Sequence, residues 1–290
     1  MTGTSRKKVT LQTLGRKVKN KERIVGMECH DTPSAIMAEE LGMDLLCCGS
    51  PGPMGLMGHA SMDTVDFEEQ LYMLQAVLRG AKTPFIICNL PNTVACVSVE
   101  DAIRNAAKVT HLGADGVHIE PTKGMMPMLR GIATAGIPIV GHFGVQGERR
   151  LMYGYQTRGR TAADAASIVE LIEASIEAGI VTVLLEHATE ELTKWCFENL
   201  PVPVASLRSG PHANGIFQVS SDIIGCSAFP IPPGGQTFGN VWQNMLDAYT
   251  AYFNAAKSGQ YPRQEDSYHM NDGEKDKFLE SMARRKQRAA

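Results

Sequence analysis

The 290-residue sequence lacks several features that would assign a protein to a class at once. It has no apolar run near the roughly 18 residues of a membrane-spanning helix, and no charged segment leading into an apolar run as in a secretory signal peptide. Neither sign of charge dominates, since 28 Lys and Arg stand against 31 Asp and Glu. These features disfavour a membrane protein. They also disfavour a protein that binds nucleic acid or anionic lipid through its net charge. We expect a soluble, cytoplasmic protein.

The seven cysteines contain no Cys-x-x-Cys pair, and Cys47 and Cys48 are adjacent. Disulfide frameworks and cysteine-based metal sites have characteristic spacings that are missing here. We therefore expect reduced and mostly buried thiols. The first 23 residues hold eight Lys or Arg and one acid, Glu22. That composition is typical of a solvated basic segment before the first strand, although an organellar transit peptide has a similar one.

Short apolar runs alternate with amphipathic helical stretches along most of the chain, which indicates a parallel sheet covered by helices. The predicted strands are residues 24–28, 44–48, 84–88, 115–119, 138–141, 181–186, 202–206 and 222–225. The predicted helices are residues 34–41, 65–79, 99–111, 125–135, 162–178, 190–199 and 241–257. No Gly-x-Gly-x-x-Gly follows the first strand, as a dinucleotide-binding sheet would require. Eight strands in this order predict an α/β protein with a (β/α)8 TIM barrel.

The barrel is expected to occupy residues 1–262, with the basic segment leading into it and residues 263–290 forming a charged C-terminal helix or tail. The active site of such a barrel lies where its strands end at their carboxyl termini. Glu120 and Glu186 each close an apolar strand there, and a buried carboxylate is costly unless it is paired, hydrogen-bonded or bound to a metal. Both are candidate site residues, although each would also serve to cap a neighbouring loop.

Other polar side chains fall at the same end of the predicted barrel. His118 lies two residues before Glu120 and so on the same face of its strand, where an imidazole can steady a substrate carboxylate or an enolate oxygen. His142 follows an apolar strand, a position at which histidine is more often a hydrogen-bonded core residue. Ser50 and Asn89 follow strands two and three, and Glu28 ends strand one.

Several of these segments resemble the motifs of the ketopantoate hydroxymethyltransferase family, within the phosphoenolpyruvate mutase and isocitrate lyase superfamily. The similar segments are GSPGPMGLMGH, FIICNLP, GADGVHIE, IVGHFGVQ, YGYQTRGR, VLLEHATEEL, SGPHANGIFQVSSDIIG and SGQYPRQEDSYHM. They fall in the family's order and spacing over almost the whole chain. The resemblance implies a barrel, a small 2-oxo acid substrate, 5,10-methylenetetrahydrofolate as co-substrate and a homo-oligomer, commonly a decamer.

The resemblance also implies roles for individual residues. In the family a divalent metal, usually magnesium, is held by two aspartates and a glutamate, and a second glutamate removes the C3 proton of the substrate. The metal glutamate matches Glu120 and the base matches Glu186, whereas the two aspartates match Ser50 and Asn89. A substrate-contacting lysine matches His118. Two ionised ligands are therefore missing, and we expect magnesium to bind weakly.

Two further positions bear on this comparison. Glu28 stands where the family has a small or hydroxyl residue, so it could supply a relocated carboxylate to a metal or act as an acid or base. His142 matches the family's histidine after strand five and is a candidate substrate contact, with Ser50, Asn89 and His118.

The sequence favours a diverged enzyme of this family that makes or breaks a C–C bond next to a 2-oxo acid through an enolate. Two alternatives remain open. One is a lyase or mutase of the superfamily, although the usual Lys-Cys-Gly-His segment is missing. The other is a noncatalytic oligomeric homologue, which the loss of two metal ligands would suggest. The enzyme hypotheses require four residues to converge on a common cavity, and the noncatalytic hypothesis predicts that they do not: Glu28, Asn89, Glu120 and Glu186.

Overall fold

The computed structural model describes residues 6–227, 229–231 and 235–289. The chain divides into two compact units, Met1–Gly239 and Asn240–Ala290. The first unit contains a closed barrel in which eight parallel strands follow one another in chain order, so the predicted (β/α)8 architecture is confirmed. The expected domain boundary after residue 262 stays a prediction.

The strands of the barrel are short, as strands buried on both faces usually are. They are β1 Ile24–Glu28, β2 Leu45–Cys48, β3 Phe85–Asn89, β4 Gly116–Ile119, β5 Ile139–Gly144, β6 Ile180–Glu186, β7 Val204–Leu207 and β8 Gly215–Gln218. β8 pairs with β1 and closes the barrel, with Ile24 opposite Gly215. All strand carboxyl ends therefore meet at one mouth.

Helices follow most of the strands. In the first unit they are α1 Leu11–Lys19, α2 Thr32–Leu41, α3 Pro51–Met57, α4 Phe67–Gly80, α5 Asn92–Ala95, α6 Val99–Leu112, α7 Met126–Thr134, α8 Arg150–Tyr153, α9 Ala162–Glu177, α10 Glu190–Asn199 and α11 Ser220–Ile224. In the second unit they are α12 Val241–Lys257 and α13 Glu274–Gln287. No helix among the described residues is long and apolar enough to cross a membrane.

The predicted eighth strand is wrong. Residues 222–225 lie in and just after α11, and the last strand is β8, seven residues earlier in the chain. A four-residue apolar run fits a strand and a buried helical turn equally well, so periodicity could not separate them. β7 also ends at Leu207 rather than at residue 206, and no helix lies between β7 and β8.

Two apolar clusters stabilise the first unit. One fills the space between the barrel and its helices and includes Leu74, Ile86 and Ile132. The other lies inside the barrel, where Phe85 and Leu184 pack with Leu14 from α1. The lead-in helix is thus part of the first unit. Five of the seven cysteines are buried, in agreement with the expectation of mostly buried thiols, while Cys96 is exposed.

The second unit contains two helices. The charged C-terminal segment contains the helix α13. α12 agrees with its predicted bounds and carries large apolar side chains at helical spacing, among them Trp242, Leu246, Tyr249 and Phe253. None of them is buried. This small unit therefore does not bury them by itself.

Candidate active site at the mouth of the barrel

The predicted site residues converge where the strands end. Ser50, Asn89, His118, Glu120, His142 and Glu186 are all buried and are joined through one set of contacts, while Glu28 lies in a neighbouring set. A concentration of buried polar side chains at this end of a barrel indicates a functional site. Burial of polar groups is costly, so positions that are buried only for stability usually carry apolar side chains.

Asn89 is the centre of the first part of this set. His118 Nδ1 donates to Asn89 Oδ1 over 2.9 Å, and Asn89 Nδ2 donates to Ser50 Oγ over 3.1 Å. Asn89 Nδ2 also donates to Glu148 Oε1 over 2.7 Å. An ionised carboxylate only accepts, and the short contact places the amide with its NH2 group towards Glu148. The position where the family resemblance implies a carboxylate therefore presents a hydrogen-bond donor.

Glu148 reaches Asn89 because the segment after β5 folds back over the mouth. The backbone N–H groups of Gly147 and Glu148 donate to the two oxygens of Glu120 over 2.8 and 3.1 Å. Glu148 Oε2 accepts from the backbone N–H of Asn92 over 2.6 Å. Gly144 permits this path, since its φ is +87° and a Cβ there would lie 2.2 Å from the Glu186 carbonyl oxygen. Only glycine fits such a position.

Burial governs the protonation of this part of the site. Burial raises the pKa of Glu120 well above its usual range, and the charge of Glu148 raises it further, although the two backbone N–H groups act in the opposite direction. Burial also raises the pKa of Glu148. The pKa of His118 is well below its usual range because of burial and of the nearby His142 ring, so His118 is neutral at pH 7. With its proton on Nδ1, a neutral His118 keeps Nε2 as an acceptor.

Glu186 has a different environment. Its Oε2 lies 3.1 Å from His142 Nε2, and its Oε1 lies 3.4 Å from a guanidinium nitrogen of Arg208. Burial by itself would raise the pKa of Glu186, but His142 and Arg208 outweigh it and place that pKa below its usual range. His142 also lies 3.7 Å from Glu120 and so stands between the two glutamates. Of Glu120, Glu148 and Glu186, Glu186 is the one that remains ionised most readily.

Glu28 lies at the side of the mouth. His30 Nδ1 is 3.0 Å from Glu28 Oε1, and Ser220 Oγ donates to Glu28 Oε2 over 3.0 Å. His30 is also 3.5 Å from Asp31, the residue that caps α2. Burial lowers the pKa of His30, but the hydrogen bond and charge of Glu28 outweigh it and raise that pKa overall. Glu28 is thus part of an ion pair with histidine.

The donor groups at the mouth differ from those of the magnesium site that the resemblance implies. Of the three positions concerned, Asn89 turns its NH2 group inwards, Ser50 Oγ accepts from Asn89 and Gln70, and both oxygens of Glu120 accept backbone N–H groups. Magnesium prefers charged oxygens in octahedral geometry. Among the described residues, no three His, Cys, Asp or Glu side chains are arranged to hold a metal ion. The residues present do not fit the implied site.

Sequence reasoning missed several members of the site. Arg208 follows β7 directly, but the predicted strand ended at residue 206, and Arg208 was not among the candidate residues. Glu148 lies in a segment rich in arginine, and nothing in its spacing pointed inwards. Asp222 was predicted to lie in a strand. It lies in α11 instead and forms a close ion pair with Arg208. The only sequence feature that could have identified Arg208 is its position, since it is a single basic residue between an apolar strand and a Ser-Gly pair.

The closed barrel defines the chain as a (β/α)8 barrel protein, with its buried carboxylates at the mouth where such barrels have their active sites. Two solved structures with the same fold are a 2,3-dimethylmalate lyase, described as a PEP mutase/isocitrate lyase superfamily member, and a phosphonopyruvate hydrolase in complex with oxalate and magnesium. The lyase has a TM-score of 0.59 at 14% identity and covers 97% of this chain and 98% of its own. The hydrolase has a TM-score of 0.57 at 14% identity and covers 97% of each chain. At this identity the likeness concerns the fold.

Within that class, the chain belongs to the ketopantoate hydroxymethyltransferase family, whose sequence profile matches residues 8–264. A 3-methyl-2-oxobutanoate hydroxymethyltransferase of Ignicoccus hospitalis is 31% identical over 257 residues, which cover 88% of this chain and 97% of the relative. A relative of the same name from Emericella nidulans is 31% identical and covers 91% and 76%. The family expected from the sequence motifs is confirmed.

Proposed function

We propose that this protein catalyses an aldol-type one-carbon transfer on a small 2-oxo acid, with Glu186 as the base that removes a proton from C3 and creates an enolate. The observation that carries the proposal is the environment of Glu186. A buried carboxylate at the end of β6 is kept ionised by His142 and Arg208, whereas its neighbours Glu120 and Glu148 are shifted towards the neutral form. A proton acceptor must be ionised at working pH.

The substrate carboxylate takes the place that Glu148 holds in this structure. There a carboxylate already accepts hydrogen bonds from Asn89 Nδ2 and from the Asn92 backbone. Ser50 and His118 orient the Asn89 amide through their own hydrogen bonds. Glu120 and Glu186 are each less than 10% exposed, so the substrate reaches the site when the segment carrying Glu148 moves away.

The one-carbon donor, 5,10-methylenetetrahydrofolate, is assigned to a cavity of about 470 Å³ beside the mouth. Gly144 and Gln146, from the segment that crosses the mouth, line one wall of this cavity. Arg149, Arg158 and Tyr153 line another, and no Asp or Glu is among its lining residues. A cationic wall with an aromatic ring suits an aromatic ligand with an acidic tail.

A homo-oligomer, with the decamer as the expected form, is supported by the second unit. The apolar face of α12, with Trp242, Leu246 and Tyr249, is not buried by that unit itself. Apolar side chains at this spacing usually pack against another element. Light scattering coupled to gel filtration measures the number of subunits.

Proton exchange in D2O tests the proposed reaction. Proton NMR follows the loss of the C3 signal of 3-methyl-2-oxobutanoate and of other 2-oxo acids with the protein present. Exchange is expected, and Glu186→Gln should slow it roughly 10²- to 10⁴-fold, the usual worth of general base catalysis. Glu190→Gln, on the exposed first turn of α10, is a matched control that should leave it unchanged.

Adding 5,10-methylenetetrahydrofolate or formaldehyde then tests the transfer, with formation of the hydroxymethyl product as the measured quantity. Exchange without transfer to either donor would favour the lyase or mutase alternative. Absence of exchange with every 2-oxo acid would reject the proposed chemistry and favour the noncatalytic homologue.

A further inference from the structure

Arg208 occupies an unusual place for an arginine. It follows β7 at the mouth, and its side chain is 3% exposed, whereas the next most buried Lys or Arg side chain among the ion pairs of the described residues, Lys17, is 26% exposed. Burial of a guanidinium is unfavourable unless carboxylates compensate it. Asp222 and Glu186 supply that compensation, the first through a close ion pair and the second at 3.4 Å.

The backbone around Arg208 is held in a conformation that side chains rarely adopt. Its φ is +56°, and that of His187 at the end of the adjacent strand β6 is +46°. On either side of Arg208, the chain is tied to β6: the His187 N–H donates to the Leu207 carbonyl, and Ser209 Oγ donates to the Leu185 carbonyl. Unfavourable backbone conformations persist where the surrounding structure enforces them, most often at functional sites.

We propose that Arg208 is a positioning residue for the reaction: it fixes the orientation and the negative charge of the Glu186 carboxylate, while Asp222 acts as its permanent counter-ion. This inference rests on the proposed function, in which Glu186 accepts the C3 proton. Within the described residues, Arg208 carries the only buried guanidinium that faces this base.

The charges of these three groups explain why Asp222 is needed. Before proton transfer, Glu186 and Asp222 carry two negative charges and Arg208 carries one positive charge. In the transfer, the C3–H bond of the substrate breaks, an O–H bond forms on Glu186, and the electron pair of the C–H bond becomes the enolate. Glu186 is then neutral. Arg208 keeps Asp222 as its partner, so no buried cation is left without compensation.

Other charged or titratable groups also face Glu186. His142 contacts Oε2, and His187 lies 3.4 Å from the Arg208 guanidinium. In addition to burial, the charge of Glu186 raises the pKa of Glu120 and of Tyr155, so both groups lie near it. Of these groups, His142 and Arg208 contact the carboxylate directly. The two oxygens of Glu186 therefore have different partners, and the Arg208 contact can be removed while the His142 contact stays.

The test uses Arg208→Gly, because glycine accepts a positive φ without strain and leaves a guanidinium-sized space. The C3 exchange of 3-methyl-2-oxobutanoate is measured by NMR on the full-length protein. The expected result is a fall in kcat of about 10- to 100-fold with KM changed less than about threefold, as for other residues that orient a catalytic group. Guanidinium chloride at millimolar concentration should restore much of the rate, and urea, of the same shape without charge, should not. Arg208→Lys should retain an intermediate rate.

An unchanged kcat, a change confined to KM, or equal effects of guanidinium and urea would overturn the proposal. Folding is followed by circular dichroism, and Arg208→Lys replaces Arg208→Gly if the latter does not fold. A second measurement does not depend on activity. Arg208→Gly should lower Tm, and Glu186→Gln in the same chain should recover part of that loss, because a buried carboxylate no longer lacks its partner. Additive changes in Tm would overturn the pairing. Absence of exchange by the wild-type protein would reject the proposed function, while the Tm measurement would still decide whether Arg208 and Glu186 are coupled.

Discussion

The Asn89→Asp substitution is the most direct test of how the mouth of the barrel is organised. It restores the carboxylate that the family resemblance implies at this position, yet here the new group would face another carboxylate. Asn89 Nδ2 donates to Glu148 over 2.7 Å, and that donor would be replaced by an acceptor. We expect a loss of stability rather than a gain of function.

The size of the loss follows from the contact. A hydrogen bond to a charged group contributes about 1.5–3 kcal/mol. Two carboxylates about 4 Å apart at an effective dielectric constant of ~20 repel each other by about 4 kcal/mol. Proton uptake by one of them relieves part of that repulsion, so the free energy of unfolding should fall by about 2–4 kcal/mol at pH 8. The folded-state pKa of the pair is then above its unfolded value, and the loss should shrink as the pH falls through the raised pKa.

Urea denaturation at pH 8 and pH 5.5 measures the effect in four proteins: the wild type, Asn89→Asp, Glu148→Gln and the double variant. The double variant exchanges donor and acceptor, so it should regain most of the lost stability. Magnesium at millimolar concentration should stabilise Asn89→Asp, which places three carboxylates together, and should affect the wild type little. A single variant as stable as the wild type at pH 8, or a double variant no better than the single one, would refute the deduced orientation of Asn89.

Three further outcomes are expected. Gly144→Ala should lower the free energy of unfolding by about 2–4 kcal/mol in urea, because its Cβ would meet the Glu186 carbonyl oxygen; an unaltered midpoint would contradict that geometry. The exchange rate should stay nearly constant from pH 8 down to about pH 5 and decline only below it, because the pKa of Glu186 is lowered and the base must be ionised. A decline already at pH 7 would point to another base. Calorimetry should detect weak magnesium binding at most, and Glu120→Gln should abolish it; tight binding that survives this change would locate the ion elsewhere.

The sequence predicted the barrel, and it predicted that Glu120 and Glu186 lie at the ends of buried strands, where the structure has them. Alternating apolar strands and amphipathic helices predicted the architecture, and Glu120 and Glu186 stood out because each ends a buried strand with a charge. Both signals are local along the chain. The prediction of the eighth strand failed because its four residues carry no distinctive period. The true strand β8 has the sequence GIFQ, in which apolar and polar residue types do not alternate although burial does.

The partners of those glutamates could not be predicted in the same way. Arg208 and Asp222 are 14 residues apart and meet because β7 and α11 both reach the mouth. Glu148 and Asn89 are 59 residues apart and meet because the segment after β5 folds back. Such contacts depend on the exact geometry of the closed barrel and on one glycine with positive φ, and no local sequence pattern indicates which side chains that geometry brings together.

The position of Glu148 has a consequence for affinity. In the binding mode proposed above, Glu148 competes with the substrate carboxylate for Asn89 and Asn92. A short tether gives this attached carboxylate an effective concentration that is typically in the millimolar range or above. The measured dissociation constant is then the intrinsic one divided by the fraction of molecules in which Glu148 has been displaced. Binding becomes an exchange of one carboxylate for another, so weak anions do not open the site and solvent stays out of it between turnovers. A variant such as Glu148→Ala would bind acids more tightly and discriminate among them less well.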